Sequence, residues 1–176
     1  MAEFGFRLVL RGELTPERLE ALYDAGCDDA TFGEREGVPY ADFDRTARTF
    51  AQAVGRAIRD VERVPGLTAV RIEPDDLVSA AAIAQRTGRT RESVRLLADG
   101  QRGPGGFPAP VAWVNGRTRV WRWTDVVRWF RDALDDVVDG PPSPALVAAI
   151  NAALELRLRR PEVGRAEQLL VDRLIA

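Results

Sequence analysis

The amino-acid sequence predicts an α+β protein in three consecutive parts: an α/β unit over 1–74, a second mixed unit over 75–140 and a helical segment over 141–176. Three observations predict it. Apolar residues before position 74 switch between a period of two and a helical period, in the order strand, helix, strand, strand, helix, strand. Pro74-Asp75-Asp76 and Gly140-Pro141-Pro142 punctuate the chain with residues that break regular structure. Charge is also divided unevenly. Residues 77–131 hold ten Arg against three acids, a net +7, while 1–76 carry −6 and 132–176 carry −3.

In the first part, Phe6, Leu8 and Leu10 alternate with Arg7, Val9 and Arg11, the pattern of a half-buried strand. Thr15 is a good helix N-cap, with Pro16 at the first helical position. The helix is expected to run through Leu19, Leu22 and Tyr23 and to stop at Gly26. Ala30–Glu34 and Val38–Phe43 read as strands joined by Arg35-Glu36-Gly37, and Pro39 points to an edge or bulged position for the second. Phe50, Val54, Ala57, Ile58, Val61 and Val64 form one helical stripe that ends before Pro65-Gly66. Thr68–Glu73 is the last strand. This order fits a ferredoxin-like βαββαβ unit. The acids Asp28, Asp29, Glu34, Glu36, Asp42 and Asp44 gather near the expected hairpin. They are read as solvated loop charge in preference to a metal or cation site.

In the second part, a short helix through Ala81, Ile83 and Ala84 reaches Gly88, where glycine permits a tight turn. Thr90 then caps a helix whose apolar positions are Val94, Leu97 and Ala98. A small residue, glycine four later and a β-branched residue six after that is the spacing of a helix-turn-helix. Gly103-Pro104-Gly105-Gly106 forms a breaker loop. Val111–Val114 and Arg117–Trp121 flank Asn115-Gly116, a two-residue hairpin signal. Thr124 is expected to cap a helix bearing Val126, Val127, Trp129 and Phe130. Two helices followed by a hairpin make the winged form of the motif. The four Trp are expected to seal a small core rather than to stack on bases.

In the third part, Ser143 and Pro144 begin a helix with Leu146, Ala149, Ile150, Ala153 and Leu154. Pro161 ends or interrupts it before a last helix with Leu169, Leu170, Leu174 and Ile175.

All 25 basic residues are Arg and none is Lys, which suits GC-rich coding and makes the abundance of Arg uninformative. Its placement is informative: a cationic segment between acidic ones is the footprint expected for a polyanion. With Val94, Leu97 and Ala98 inward, Arg91, Glu92 and Arg95 face outward, and Arg89 and Ser93 lie nearer the rim. Arg91 and Arg95 can fork onto guanine, each worth about 1–3 kcal/mol of discrimination. Glu92 can accept from a cytosine amine or pair with a neighbouring Arg. The helix start at Thr90 can hold a phosphate. Arg117 and Arg119, alternating on the second hairpin strand, would project from one face towards the minor groove or phosphates.

Residues 77–131 resemble the winged helix-turn-helix of the excisionase, AlpA and MerR-like superfamily. The likeness lies in Ala-Ala-Ile-Ala-Gln-Arg-Thr-Gly-Arg-Thr-Arg-Glu-Ser-Val, in Phe107-Pro108-Ala109-Pro110-Val111 and in Val120-Trp121-Arg122-Trp123-Thr124-Asp125-Val126. It covers about a third of the chain and implies cytoplasmic, sequence-specific binding of double-stranded DNA, often in transcriptional control. The expected reader is the helix at about 90–98, with the wing at 111–121. The N-terminal unit would then sense a small-molecule or protein effector, bind a partner or dimerise, and the C-terminal helices would support a homodimer. Two modules would sit on half-sites near 34 Å apart. The alternative is a protein-interaction module, such as an antitoxin or immunity-type factor, whose basic surface meets an acidic partner.

An enzyme is the least supported reading. The chain has no His and a single Cys, Cys27, so it lacks the commonest general base and the usual zinc ligands, and no metal or cofactor is expected. It shows no phosphate loop, nucleophile elbow or His-based triad. Cys27 is expected near a helix end, in a reduced state. No signal peptide or apolar run long enough for a bilayer is evident, so no membrane partner is expected.

Overall fold

Alternating apolar residues and well-formed caps build the first half of the chain in the expected order. The computed structural model describes residues 1–136, 138 and 143–175. It divides the chain into one unit of residues 1–73 with 149–176, and a second of residues 74–148. The protein is a mixed α+β chain with antiparallel sheets. Among the described residues, no helix is long and apolar enough to cross a membrane.

The first unit runs β1 (Ala2–Arg11), α1 (Pro16–Asp24), β2 (Ala30–Arg35), β3 (Val38–Ala47), α2 (Phe50–Glu62) and β4 (Thr68–Glu73). The Thr15 hydroxyl accepts the Arg18 N–H and opens α1, which buries Leu22 and leaves Leu19 and Tyr23 exposed. The sheet order is β2-β3-β1-β4, antiparallel throughout. Glu36 and Gly37 both take positive φ (54° and 79°) in the β2–β3 turn, as a tight hairpin requires.

β3 is a central strand, although Pro39 suggested an edge. Arg35 faces Val38 across the turn and Glu34 faces Pro39. Hydrogen-bonded and non-bonded pairs alternate, so the Pro39 nitrogen faces the β1 side. The pairing with β1 stops one residue earlier, at Val9 and Tyr40, so no ladder bond is lost there. One sheet face carries Phe6, Leu8, Leu10, Ala41, Phe43 and Ile72, and α2 packs on it through Phe50, Ala53, Val54, Ala57 and Val61. The Phe6 ring stacks on Phe43 and meets Phe50 edge-on, with centroids 5.4 and 5.7 Å apart.

Two of the acids expected in solvated loops instead hold arginines. Asp29 joins Asp60 around the buried Arg45, and Asp42 pairs with Arg7 at 2.7 Å. No group of three or more potential metal-ligating residues is found among the described residues. Cys27 is buried just beyond α1, and burial pushes its thiol up to about 11.

The C-terminal helices do not form a part of their own. From residue 149 onward, α6 (Pro144–Arg159), a 3-10 turn containing Pro161 (Arg160–Glu162) and α7 (Arg165–Ile175) belong to the first unit. β4 is an edge strand and would leave backbone groups unpaired. The Asn151 carboxamide of α6 satisfies them: its oxygen accepts the Ile72 N–H at 2.7 Å and its nitrogen donates to the Ile72 carbonyl at 3.0 Å. Arg157 adds a bond to the Ala69 carbonyl at 2.8 Å and pairs with Glu62 at 2.6 Å.

The second unit contains β5 (Leu77–Ser79), α3 (Ala80–Arg86), α4 (Arg91–Ala98), β6 (Ala112–Val114), β7 (Thr118–Arg122) and α5 (Trp123–Leu134). Its sheet order is β5-β7-β6. β5 was not expected from sequence, because three residues carry no periodicity. Its Ser79 caps α3 by accepting the Ala82 N–H. Val78, Ile83, Val94, Leu97, Trp121, Trp123, Val126, Trp129 and Phe130 form the core, and Phe107 meets Trp121, Trp129 and Phe130 edge-on.

Thr124 does not cap α5. The helix starts at Trp123, two residues earlier than a Thr124 cap would place it, and the buried Asp76 supplies the acceptors. Its carbonyl takes the Trp123 N–H at 2.5 Å, and its carboxylate takes the Thr124 N–H and hydroxyl at 2.8 and 2.6 Å. The expected breaker Gly140-Pro141-Pro142 lies outside the described residues.

Candidate nucleic-acid interface

The α3–α4 turn is built as its residues demand. Gly88 has φ 64°, and the Arg89 N–H reaches the Ala84 carbonyl at 2.9 Å. Thr90 then caps α4, its hydroxyl accepting the Ser93 N–H at 3.1 Å. Val94 and Leu97 turn inward, leaving Arg91, Glu92 and Arg95 exposed and Ser93 half-buried.

The exposed charges of α4 form a chain that ends on the hairpin. Arg95 pairs with Glu92 at 2.6 Å and with Asp99 at 2.8 Å, and Asp99 also holds Arg119 of β7 at 2.8 Å. The Arg119 guanidinium lies 5.3 Å from the Trp121 ring centre. Hydrogen bonding to Arg95 holds the Glu92 carboxyl below its usual range, and Arg119 does the same for Asp99. The bond to Glu92 correspondingly raises Arg95. Asp99 thus ties the C-terminal end of α4 to the hairpin strand.

Arg89 is directed elsewhere. It pairs with Asp136 at 2.9 Å and lies over the Phe130 ring at 5.1 Å, and its Nε is buried without a partner. It belongs to the seam with α5 more than to the outer face of α4. Arg117 also differs from expectation. β6 and β7 pair Val114 with Thr118, so Asn115, Gly116 and Arg117 form a three-residue loop. Asn115 and Gly116 have φ 50° and 66°, and the Arg117 N–H reaches the Val114 carbonyl at 3.2 Å. Arg117 therefore occupies the hairpin tip, and it does not alternate with Arg119 along one strand.

The tertiary structure also redraws the charge boundary. Residues 74–148 carry ten Arg against nine acids, a net +1, because Asp75, Asp76, Asp132, Asp135, Asp136 and Asp139 join the cationic segment in one unit. Arg89, Arg95, Arg119, Arg122, Arg128 and Arg131 each meet a carboxylate. Arg86 is half-buried over the Trp123 ring at 4.9 Å. Among the described residues, Arg91, Arg102 and Arg117 are exposed with no side-chain partner.

Two residues were not legible as site residues in the sequence. Arg102 follows α4 in the breaker loop, and its only signal was membership of the cationic segment. Trp113 is 58% exposed on the edge strand β6, opposite Arg119, whereas Trp121, Trp123 and Trp129 are buried as expected. Its signal was its place on the first strand of the hairpin. Comparison of the chain with protein-family models, curated proteins and solved structures finds no match.

Proposed function

We propose that the protein binds double-stranded DNA through its second unit and acts without catalysis as a cytoplasmic regulator. On this reading the first unit is a ferredoxin-like domain and the second a winged helix-turn-helix of the excisionase, AlpA and MerR-like kind. α4 enters the major groove and the β6–β7 hairpin is the wing. The observation that carries the reading is the Asp99 bridge between Arg95 and Arg119, which sets the exposed face of α4 beside the hairpin. Arg91 at the start of α4 and Arg117 at the hairpin tip add two uncommitted cations. The Arg95–Glu92 pair is exposed, and such pairs are weak enough to be exchanged for bonds to phosphate, while Arg119 is half-buried beside it. A homodimer, with two copies on neighbouring half-sites, is part of the proposal.

A random-sequence duplex titrated at low salt tests it. Weak binding that salt abolishes is expected, and Arg91→Ala with Arg117→Ala should flatten the salt dependence by about one unit of slope for each phosphate left unneutralised. Selection from a random duplex library should enrich a palindrome, and sedimentation should show dimers.

One observation favours a second reading, a module for a protein partner. β6 is an edge strand with Val111, Trp113 and Val114 exposed beside it, which suits strand addition by a partner chain. Absence of any duplex binding at low salt would select that reading.

A further inference from the structure

The first unit holds a cleft of about 420 Å³ where the ends of β1, β3 and β4 meet α6. Ligand sites commonly fall in the range of about 300–1,000 Å³ and combine an apolar surface with a few convergent polar groups. Here the apolar part comes from Val9, Val70 and Leu158. Arg11 from the end of β1, Arg71 from β4 and Arg159 from α6 bring three guanidinium groups to the same cleft.

Among the lining residues one carboxylate, Glu155, stands against these three arginines. Glu155 bonds Arg159 at 2.8 Å, and its carboxyl is held below the usual range by Arg159 first and by the charges of Arg71 and Arg11 after it. Arg159 also reaches Glu162 at 3.2 Å. Arg11 is exposed and has no side-chain partner among the described residues. This cationic surplus lies in a unit whose net charge is −3, with fifteen Arg against eighteen acids, so it runs against the unit's overall charge.

We propose that this cleft binds a small amphipathic anion, with a carboxylate or phosphate head on the guanidinium groups and a short hydrocarbon body against Val9, Val70 and Leu158. Arg11 supplies the main uncommitted charge, and the apolar lining selects against fully hydrated inorganic anions. The proposal stands independently of the DNA-binding reading of the second unit.

Octanoate is a suitable probe, followed by backbone amide NMR on the full chain, with octylamine as its cationic counterpart. Octanoate should produce saturable shifts at the amides of Val9, Val70 and Leu158, and octylamine should not. Arg11→Gln should weaken octanoate binding about fivefold, the upper end for one exposed ion pair, while Arg91→Gln in the second unit should leave it unchanged. Among the described residues the Arg11 side chain makes no bond that this change would break, so loss of folding does not confuse the result. Octylamine binding as tightly as octanoate, shifts that do not saturate or spread over the surface, or an Arg11→Gln protein that binds like the parent would each overturn the assignment.

Discussion

Arg45 in the first unit and Arg95 in the second are each held by two carboxylates, yet the two arrangements have different consequences. Arg45 is 5% exposed and spends its guanidinium on Asp29 at 2.7 and 2.8 Å, Asp60 at 2.7 Å and the Gly26 carbonyl at 2.7 Å. It also lies over the Phe43 ring at 4.8 Å. A buried charge is tolerable only when its donors are satisfied in this way, and no other partner can reach it. Arg95 makes similar bonds in open solvent, where water and ions compete for every one. The first arrangement is scaffold; the second is a surface that can exchange its internal carboxylates for an external anion. Counting arginines along the chain treats both alike.

The largest effect should come from Arg45→Ala. It leaves Asp29 and Asp60 facing each other without their shared cation, and urea denaturation should show a loss of about 3–5 kcal/mol. A change under about 1 kcal/mol would mean that the network is not structural.

Cys27 lies beside the same network and gives a pH test. Burial raises its folded value to about 11 from an ordinary value near 9. The neutral thiol is therefore favoured by folding: its contribution is complete below pH 9 and is lost as pH rises through about 11. Stability should fall by about 2–3 kcal/mol more in the parent than in Cys27→Ala across that interval. Equal alkaline losses in the two proteins would show that the thiol does not titrate as described.

Asn151→Ala leaves the Ile72 N–H and carbonyl at the β4 edge without the carboxamide. The expected loss is about 1–3 kcal/mol, with faster hydrogen exchange at the Ile72 amide. Unchanged exchange there would show that α6 does not seal the edge.

The smallest effect on stability belongs to Arg95→Gln, which should leave the urea midpoint indistinguishable from the parent. The same change should weaken duplex binding severalfold if the DNA reading holds. A destabilised Arg95→Gln protein would erase the contrast with Arg45.

Much of the first unit was legible because its signals are local. Thr15 with Pro16, the Phe50-to-Val61 stripe and the Glu36-Gly37 turn each depend on residues a few positions apart. In the second unit, Thr90 and Gly88 were legible for the same reason. The candidate site was legible in its parts and not in its connections. Thr124 looked like a cap because the true acceptor, Asp76, lies 48 residues away. Arg119 looked free because its partner, Asp99, is 20 residues away. Pro39 looked like an edge residue because nothing local shows where the β1 ladder stops.

Sequence alone determined the order of elements over residues 1–73, the helix pair around Gly88 and the place of the hairpin turn at Asn115-Gly116, though not its three-residue length. Propensity, capping and period act between near neighbours along the chain. Tertiary structure alone decided that α6 closes the β4 edge, that most of the cationic segment is matched by the unit's own acids, and that Arg91, Arg102 and Arg117 remain uncommitted among the described residues. Ion pairing and edge closure act over a few ångströms of space, whatever the separation along the chain.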